Sequence, residues 1–177
     1  MASEDYFELF GLPSQFALDN DALDATWRRL AARVHPDRYA TAGAAERRVA
    51  MQWASTINDA YRTLKSPIER ARYLCERAGC DLQTESNTNM DSSFLMRQMD
   101  WREQLDELRG EGSIARADAL VDDIQAGRAA MEATVGDLID HQHDYPAAAG
   151  KVREWMFMEK LLAQAHTLRN ELRDRQT

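Results

Sequence analysis

The sequence predicts an all-α protein with two regions, a helical hairpin followed by an antiparallel three-helix bundle. Apolar residues recur at spacings of three and four, which is typical of amphipathic helices, and no strand-like alternation interrupts them. Short connections join the long amphipathic segments of the second half, as in an antiparallel bundle. The predicted regions are residues 1–79 and 92–177, joined over residues 80–91 by a polar linker without periodicity.

The first two predicted helices have recognisable ends. The first runs from Asp5 to about Gly11, where the glycine and the following Leu12-Pro13 pair stop it. Asp19 suits the cap of the second helix, because its carboxylate can accept from the first backbone N–H groups. The apolar stripe of the second helix consists of Leu23, Trp27, Leu30 and Val34.

Two further helices complete the first region. The third runs from about Ala45 to Lys65, and its predicted core stripe consists of Val49, Trp53, Ile57, Ala60 and Leu64. The fourth begins at Pro67, a residue suited to a first helical turn, and ends near Gly79.

Three helices are predicted in the second region. They cover about residues 92–109, 113–140 and 147–173, with breaks at 110–112 and 143–146. Trp101 and Trp155, like Trp53 in the first region, are predicted to pack in a core or an interface.

Composition and charge argue against two classes of protein, those that span a membrane and those that bind nucleic acid. No run of about 18 apolar residues is present, so no membrane-spanning helix is expected, and the acidic N-terminus without an apolar secretory stretch favours the cytoplasm. Residues 1–79 hold 11 of the 22 Lys and Arg and 11 of the 30 Asp and Glu, so the net charge of −8 lies in the second half. This distribution argues against nucleic-acid binding, which requires basic surfaces.

The most informative motif is His35-Pro36-Asp37, between the second and third helices. Because a residue before proline avoids helical geometry, the second helix is predicted to end near Val34, leaving the tripeptide in a loop. A histidine beside an aspartate can act as an acid–base pair. No nucleophile, phosphate-binding loop or metal-ligand cluster accompanies it, so a preorganised recognition loop is favoured. No catalytic residue, metal or cofactor is predicted, and the protein is not expected to be an enzyme.

The first region resembles the J-domain of co-chaperones over about residues 4–75. The resemblance rests on the segments Asp5-Tyr6-Phe7, Leu9 to Pro13, Arg28-Arg29-Leu30, Val34 to Arg38 and Ile57 to Leu64. Arg38 stands where the family usually has lysine, and the two cations differ in geometry. The resemblance implies that a DnaK-class ATPase is bound by Arg28, Arg29, Arg33, His35, Pro36, Asp37 and Arg38.

A further set of segments, most of them in the second region, resembles the HscB-type co-chaperones of iron–sulfur cluster assembly. The matching segments are Arg70 to Leu74, Phe94-Leu95-Met96, Arg102 to Glu107 and Phe157 to Leu161. The resemblance implies an HscA-type ATPase as one partner and an IscU-type scaffold protein as the other. It implies scaffold contacts at Leu95, Met96, Met99, Asp100, Glu103 and Phe157. Met156 stands where relatives often have a basic residue.

Helix geometry supports a binding surface on the predicted helix over residues 92–109. At about 100° per residue, Phe94, Gln98, Trp101, Leu105 and Leu108 share one face and suffice for a core stripe. Leu95, Met99 and Met96 fall at about 100°, 140° and 200° from Phe94, where a docked helix is usually polar. Glu107, Glu103 and Asp100 flank them, which gives an apolar patch with an acidic rim. Packing of Leu95 against another helix is the competing interpretation.

Two other functions stay open at this point. The protein could serve a general DnaK-class chaperone and bind a different client. It could instead be a small metal or redox protein that uses Cys75, Cys80, His141 and His143, although the two cysteines lack the spacing of a zinc site. We interpret the cysteines as ordinary thiols, and we expect a monomer that binds neither nucleic acid nor membrane.

Overall fold

A computed structural model describes residues 5–82 and 90–175, within which all regular secondary structure is helical, so the all-α prediction is confirmed. The chain forms two compact units, one ending at Leu74 and the other beginning at Cys75. Residues 83–89, most of the predicted linker, lie outside the described residues, and the predicted limits of 79, 80–91 and 92 stay predictions. None of the described helices is long and apolar enough to span a bilayer.

Over its described residues, from Asp5 onward, the first unit contains four α-helices and one 3-10 helix. The α-helices are α1 (Tyr6–Phe10), α2 (Asn20–Arg33), α3 (Ala44–Lys65) and α4 (Pro67–Arg77), and α4 extends past the boundary between the units. Asp5 and Asp19 cap α1 and α2 by accepting backbone N–H groups, and Gly11 ends α1 at a φ of 63° that favours glycine. The 3-10 helix, Pro36–Tyr39, replaces the first part of the predicted irregular loop, because Pro36 is suited to a helical first turn.

Helices α2 and α3 form an antiparallel hairpin. Lys65 at the end of α3 donates to the Asp24 carboxylate in the first half of α2 at 2.7 Å. Further along α2, the Trp27 indole donates to Asn58 Oδ1 at 3.0 Å. The predicted hairpin is therefore confirmed, and buried Leu23, Ile57, Ala60 and Leu64 lie in its core.

The predicted core stripe of α3 is wrong at its N-terminal end. Val49 is 54% exposed and Trp53 is 38% exposed. Ala50, between these two residues, is only 6% exposed. This part of α3 is therefore covered on a narrow face that holds the small Ala50, and the two larger apolar side chains lie outside that cover.

The second unit is an antiparallel three-helix bundle, as predicted. Its helices are α5 (Ser92–Glu111), α6 (Ile114–Asp140) and α7 (Tyr145–Asp174). Ion pairs join opposite ends of neighbouring helices, at 2.7 Å between Glu107 and Arg116 and at 2.9 Å between Asp118 and Arg173. Helix α6 therefore runs against both α5 and α7.

Polar caps define the helix starts of the second unit. The Asp91 carboxylate accepts from the Ser93 hydroxyl and backbone N–H, and these bonds lower the pKa of Asp91. Asp144 accepts from the Ala147 N–H at 3.0 Å, so α7 begins at Tyr145, two residues before the predicted start, with Pro146 in its first turn.

The core of the bundle includes Trp101, and Trp155 on α7 is also buried. Gly127 in α6 permits a close approach between helices. A Cβ atom added there would lie 2.9 Å from Met158 Cε and 3.2 Å from the Trp101 ring. The absence of a side chain therefore makes room for two large core residues.

Candidate partner-binding surfaces

The His35-Pro36-Asp37 motif presents a carboxylate to solvent. His35 adopts extended backbone geometry (φ −58°, ψ 133°), as expected before proline, and ends the continuation of α2. The Asp37 N–H donates to His35 Nδ1 at 3.3 Å, which fixes the turn. The Asp37 side chain is nevertheless 90% exposed. The local bond therefore orients the loop without covering the carboxylate that a partner would contact.

The residues after Asp37 hold the 3-10 helix against the end of α2. Arg38 donates to the Ala32 carbonyl at 3.4 Å, and the Tyr39 hydroxyl donates to the Arg33 carbonyl at 3.3 Å. The final carbonyl groups of a helix lack intrahelical partners and carry negative partial charge, so both contacts suit this position. Arg38 thus has a structural contact besides its predicted role in chaperone binding.

Arg28, Arg29 and Arg33 are exposed on α2, where they provide positive charge. None of the three forms an ion pair with a residue that the structure describes. The opposite side of α2 is fixed by Trp27, whose ring stacks on Tyr61 at a centroid distance of 4.8 Å. A rigid helix therefore displays three cations, and the exposed Asp37 follows its C-terminal end.

An apolar patch lies on α5, formed by Leu95, Met96 and Met99. Met96 is 73% exposed and Met99 is 69% exposed, whereas Leu95 at 40% is partly covered. The predicted core stripe of α5 is buried as expected, from Phe94 to Leu108. The patch is thus unnecessary for docking α5 onto the bundle, and exposed apolar area of this kind commonly marks an interaction surface.

Three exposed carboxylates accompany the α5 patch. Asp100 accepts from the Gln104 amide at 2.9 Å, and Glu107 is ion-paired with Arg116 at 2.7 Å. Glu103 forms no ion pair with a described residue. The most available negative charge is therefore at Glu103, only about 20° around the helix from Met96.

Phe157 on α7 is half-buried and packs against the bundle core. Lys160 lies above its ring, with Nζ 5.5 Å from the centroid. Phe157 also lines a groove of about 470 Å³ between α5 and α7, together with Arg102, Arg109, Lys160, Asp106, Gln164, Leu105 and Leu161. The sequence reasoning missed Arg102, Arg109 and Lys160 as a group, because only the packing of two separate helices brings them together.

The cysteines and histidines do not form a shared site in the described part of the chain. Cys75 is buried, and this burial raises the pKa of its thiol to about 12, which keeps the thiol protonated and unreactive at neutral pH. Cys80 is also a free thiol. His141 instead approaches Asp137 at 3.4 Å, and no group of three metal-ligating side chains occurs among the described residues.

Comparison with known proteins gives consistent matches. Residues 90–166 match the family model described as the HSCB C-terminal oligomerisation domain. A co-chaperone protein HscB homolog of Bordetella avium is 63% identical over 161 residues, which cover 91% of this chain and 95% of the relative. The corresponding protein of Cupriavidus taiwanensis is 49% identical and covers 89% of each chain.

Solved structures show the same architecture. The chaperone HscB from Vibrio cholerae superimposes with a TM-score of 0.83 and 37% identity, covering 95% of this chain and 99% of its own. The human co-chaperone protein HscB gives a TM-score of 0.87 and covers 94% and 83%, and at 23% identity this match concerns the fold alone.

Proposed function

Because this chain belongs to the HscB family of co-chaperones, we propose that it delivers an IscU-type iron–sulfur scaffold protein to an HscA-type ATPase and stimulates that ATPase. The observation that carries the proposal is the presence of two exposed surfaces of different chemistry on two separate units. One is a cationic helix followed by an exposed carboxylate. The other is an apolar patch with an acidic rim. An adaptor that joins two partners requires two such independent surfaces.

The first unit would bind the ATPase mainly through electrostatic contacts. Arg28, Arg29 and Arg33 steer the encounter with an acidic surface, which raises the association rate. Asp37 then pairs with a cationic group of the ATPase. Because the 3-10 helix already fixes the Asp37 backbone, little conformational entropy is lost when this contact forms.

To stimulate ATP hydrolysis, the co-chaperone must bind one conformational state of the ATPase more tightly than the other. A ligand shifts a conformational equilibrium only by its difference in affinity for the two states. The contacts of Asp37 must therefore be stronger in the hydrolysis-competent state than in the resting state. The co-chaperone contributes this difference in binding free energy, and ATP hydrolysis takes place in the partner without a catalytic group from this chain.

The second unit would bind the scaffold through Leu95, Met96 and Met99. Burial of these side chains removes apolar area from water, and the unbranched methionines adapt to the contours of a partner. Asp100, Glu103 and Glu107 would face cationic groups of the scaffold, and Phe157 would contribute an apolar contact at the side of α7. The iron–sulfur cluster is the cargo of the scaffold protein. This chain would act in the cytoplasm, as a monomer that joins the scaffold to the ATPase.

One observation favours the alternative of a general chaperone client. Methionine-rich surfaces also suit proteins that bind many sequences, because their side chains repack easily. In that case the second unit would bind many denatured proteins with similar affinity and would not prefer the scaffold.

Titration calorimetry with purified apo and cluster-loaded scaffold tests the proposal. The variant Leu95→Ala/Met96→Ala/Met99→Ala should bind about 100-fold more weakly than wild type, since truncating central apolar contacts commonly costs about 2 kcal/mol or more. The matched control is Val49→Ala/Met51→Ala, which shortens exposed apolar residues of the first unit. This control should bind the scaffold as wild type does.

Two results would contradict parts of the proposal. If wild type bound neither form of the scaffold, the client would be wrong. If the α5 variant bound as tightly as wild type while circular dichroism showed both to be folded, the scaffold would occupy a different surface.

A further inference from the structure

The groove between α5 and α7 carries positive charge within an acidic part of the chain. Residues 80–177 hold 11 Lys and Arg against 19 Asp and Glu. Three of these cations, Arg102, Arg109 and Lys160, nevertheless line one groove of about 470 Å³, against a single anion, Asp106. Apolar Leu105 and Leu161 lie beside them. A concave surface with this combination suits an anionic group on an otherwise apolar segment.

The three cations of the groove differ in their pairing. Arg109 is neutralised by Asp106 at 2.6 Å. Arg102 and Lys160 are exposed and form no ion pair with any residue in the described ranges, and the only charge-related contact of Lys160 there is with the Phe157 ring. The groove therefore offers two donors whose charges a partner can complement.

The groove is continuous with the proposed scaffold surface. Leu95, Met99 and Arg102 follow one another at spacings of four and three, which places them in a row along one side of α5. Phe157 belongs both to the predicted scaffold contacts and to the lining of the groove. A partner that covers the α5 patch therefore reaches the groove without bridging a gap.

Opposite charges border the two sides of the α5 patch. Around α5, Arg102 lies at about 80° from Phe94, whereas Glu103 lies at about 180° and Asp100 at about 240°. Leu95 and Met99 occupy the angles between Arg102 and Glu103, as does Asp106 at about 120°, whose charge is paired with Arg109. Apart from that pair, the surface is cationic on the side of α7, apolar in the middle and anionic on the far side.

We propose that the groove binds a carboxylate-bearing segment of the same scaffold protein that covers Leu95, Met96 and Met99. This inference rests on the proposed function and adds the orientation of the partner. A scaffold with carboxylates on one side of its apolar contact and cations on the other fits in only one direction. Turning it by half a revolution would bring like charges together, which disfavours that arrangement.

A charge-reversal pair tests the groove. In about 50 mM salt, Arg102→Glu/Lys160→Glu should weaken scaffold binding by at least about 10-fold, and the deficit should shrink as added salt screens the repulsion. The matched control Arg47→Glu/Arg48→Glu makes the same change in net charge at two exposed cations of the first unit. It should bind the scaffold within about two-fold of wild type, because the changed residues lie outside the groove. Since both variants have the same net charge, any general repulsion of the scaffold would appear in the control as well.

Zero-length cross-linking gives a second measurement on the unmodified protein. A carbodiimide activates a scaffold carboxylate, and Lys160 Nζ then displaces the resulting urea to form an amide. Mass spectrometry should find this amide at Lys160 in the wild-type complex. Lys160→Arg keeps the positive charge, so it should bind within about two-fold of wild type while losing that cross-link.

The outcomes separate this inference from the proposed function. The inference requires both the loss of affinity and the Lys160 cross-link, and the absence of either overturns it. If wild type binds the scaffold and the Leu95→Ala/Met96→Ala/Met99→Ala variant does not, the proposed function stands whatever the groove variants show. If wild type fails to bind any form of the scaffold, the proposed function and the inference both fall.

Discussion

The two partner surfaces differ in how they are built. The surface on the first unit depends on side chains at the end of a helix, where a 3-10 turn holds Asp37 exposed. The surface on the second unit lies along the middle of α5, whose opposite face is buried in a core that contains Trp101 and Leu105. The surface of the first unit is small and its charges are close together. The surface of the second unit has a larger apolar area, and its charges are spread along its edges.

This difference indicates different tasks. Exposed charge mainly affects the rate and specificity of encounter, whereas buried apolar contacts mainly affect the lifetime of a complex. A co-chaperone that returns repeatedly to its ATPase gains from brief, charge-steered contacts. A bound client must stay in place until transfer, which is better served by apolar burial.

The sharpest test of this division is Asp37→Asn. Removal of the carboxylate charge should reduce stimulation of the ATPase to the basal rate, because the proposed ionic contact of the docked state is lost. Scaffold affinity should stay within about two-fold of wild type in calorimetry. Asp59→Asn, at a half-buried carboxylate of the first unit that pairs with Arg62, serves as the control and should stimulate normally. Normal stimulation by Asp37→Asn would show that the motif acts in another way.

A smaller effect is expected from the cationic face of α2. Arg28→Gln/Arg29→Gln/Arg33→Gln should lower the association rate with the ATPase by about 10-fold at low salt while changing the dissociation rate much less. Stopped-flow or surface-based kinetics measure both rates. Arg47→Gln/Arg48→Gln removes two positive charges from α3, against three in the α2 variant, and should change association much less than two thirds as much. Equal losses in both variants would indicate an effect of net charge and no defined docking face.

Two glycine substitutions test how tightly the helices of the second unit pack, through their effect on the free energy of unfolding. Gly127→Ala should lower the free energy of unfolding by about 1 kcal/mol, because crowding of Met158 and Trp101 outweighs the higher helix propensity of alanine. Gly110→Ala should raise it by about 0.5 kcal/mol, since a Cβ at that position in α5 meets nothing within 4 Å. Thermal unfolding compares the two, and a stabilised Gly127→Ala would show that the core accommodates the extra methyl group.

The smallest effect is expected for the pH dependence of the stability of the α2–α3 hairpin. The pKa of Asp24 is lowered by the hydrogen bond from Lys65 and also by that from Tyr61. Because the folded pKa lies below the unfolded value, the stabilisation is present above pH 3.8 and is lost as the pH falls through the lowered pKa. Acid unfolding of Asp24→Asn should therefore be less steep between pH 4 and 2 than that of wild type. Asp122→Asn, at an exposed carboxylate of α6, should leave the steepness unchanged, and equal curves for Asp24→Asn and wild type would contradict this contribution.

Helix ends and the face of α5 could be predicted because their determinants are local. Asp19 and Gly11 act within a few residues of themselves, and the angle of Met96 on α5 follows from helix periodicity alone. The face of α3 could not be predicted in the same way. Its apolar spacing predicts a stripe through Val49 and Trp53, but the fold buries the small Ala50 at that end of α3 and leaves both larger side chains exposed.

The groove was beyond sequence reasoning for a related reason. Arg102 and Lys160 lie 58 positions apart, and nothing local indicates that α5 and α7 place them on one surface. The lack of an ion pair for either cation is likewise a property of the folded bundle. Patterns within one helix are therefore readable from the sequence, whereas sites shared between helices require their packing.

The four tryptophans divide equally between the two units and differ in exposure. Trp53 is 38% exposed in the first unit, whereas Trp101 and Trp155 in the second are 1% and 2% exposed. A collisional quencher such as acrylamide therefore reaches Trp53 far more readily than the buried pair. Intrinsic fluorescence thus contains a quenchable signal from the hairpin and a protected signal from the bundle, so the two halves can be followed separately without an attached dye.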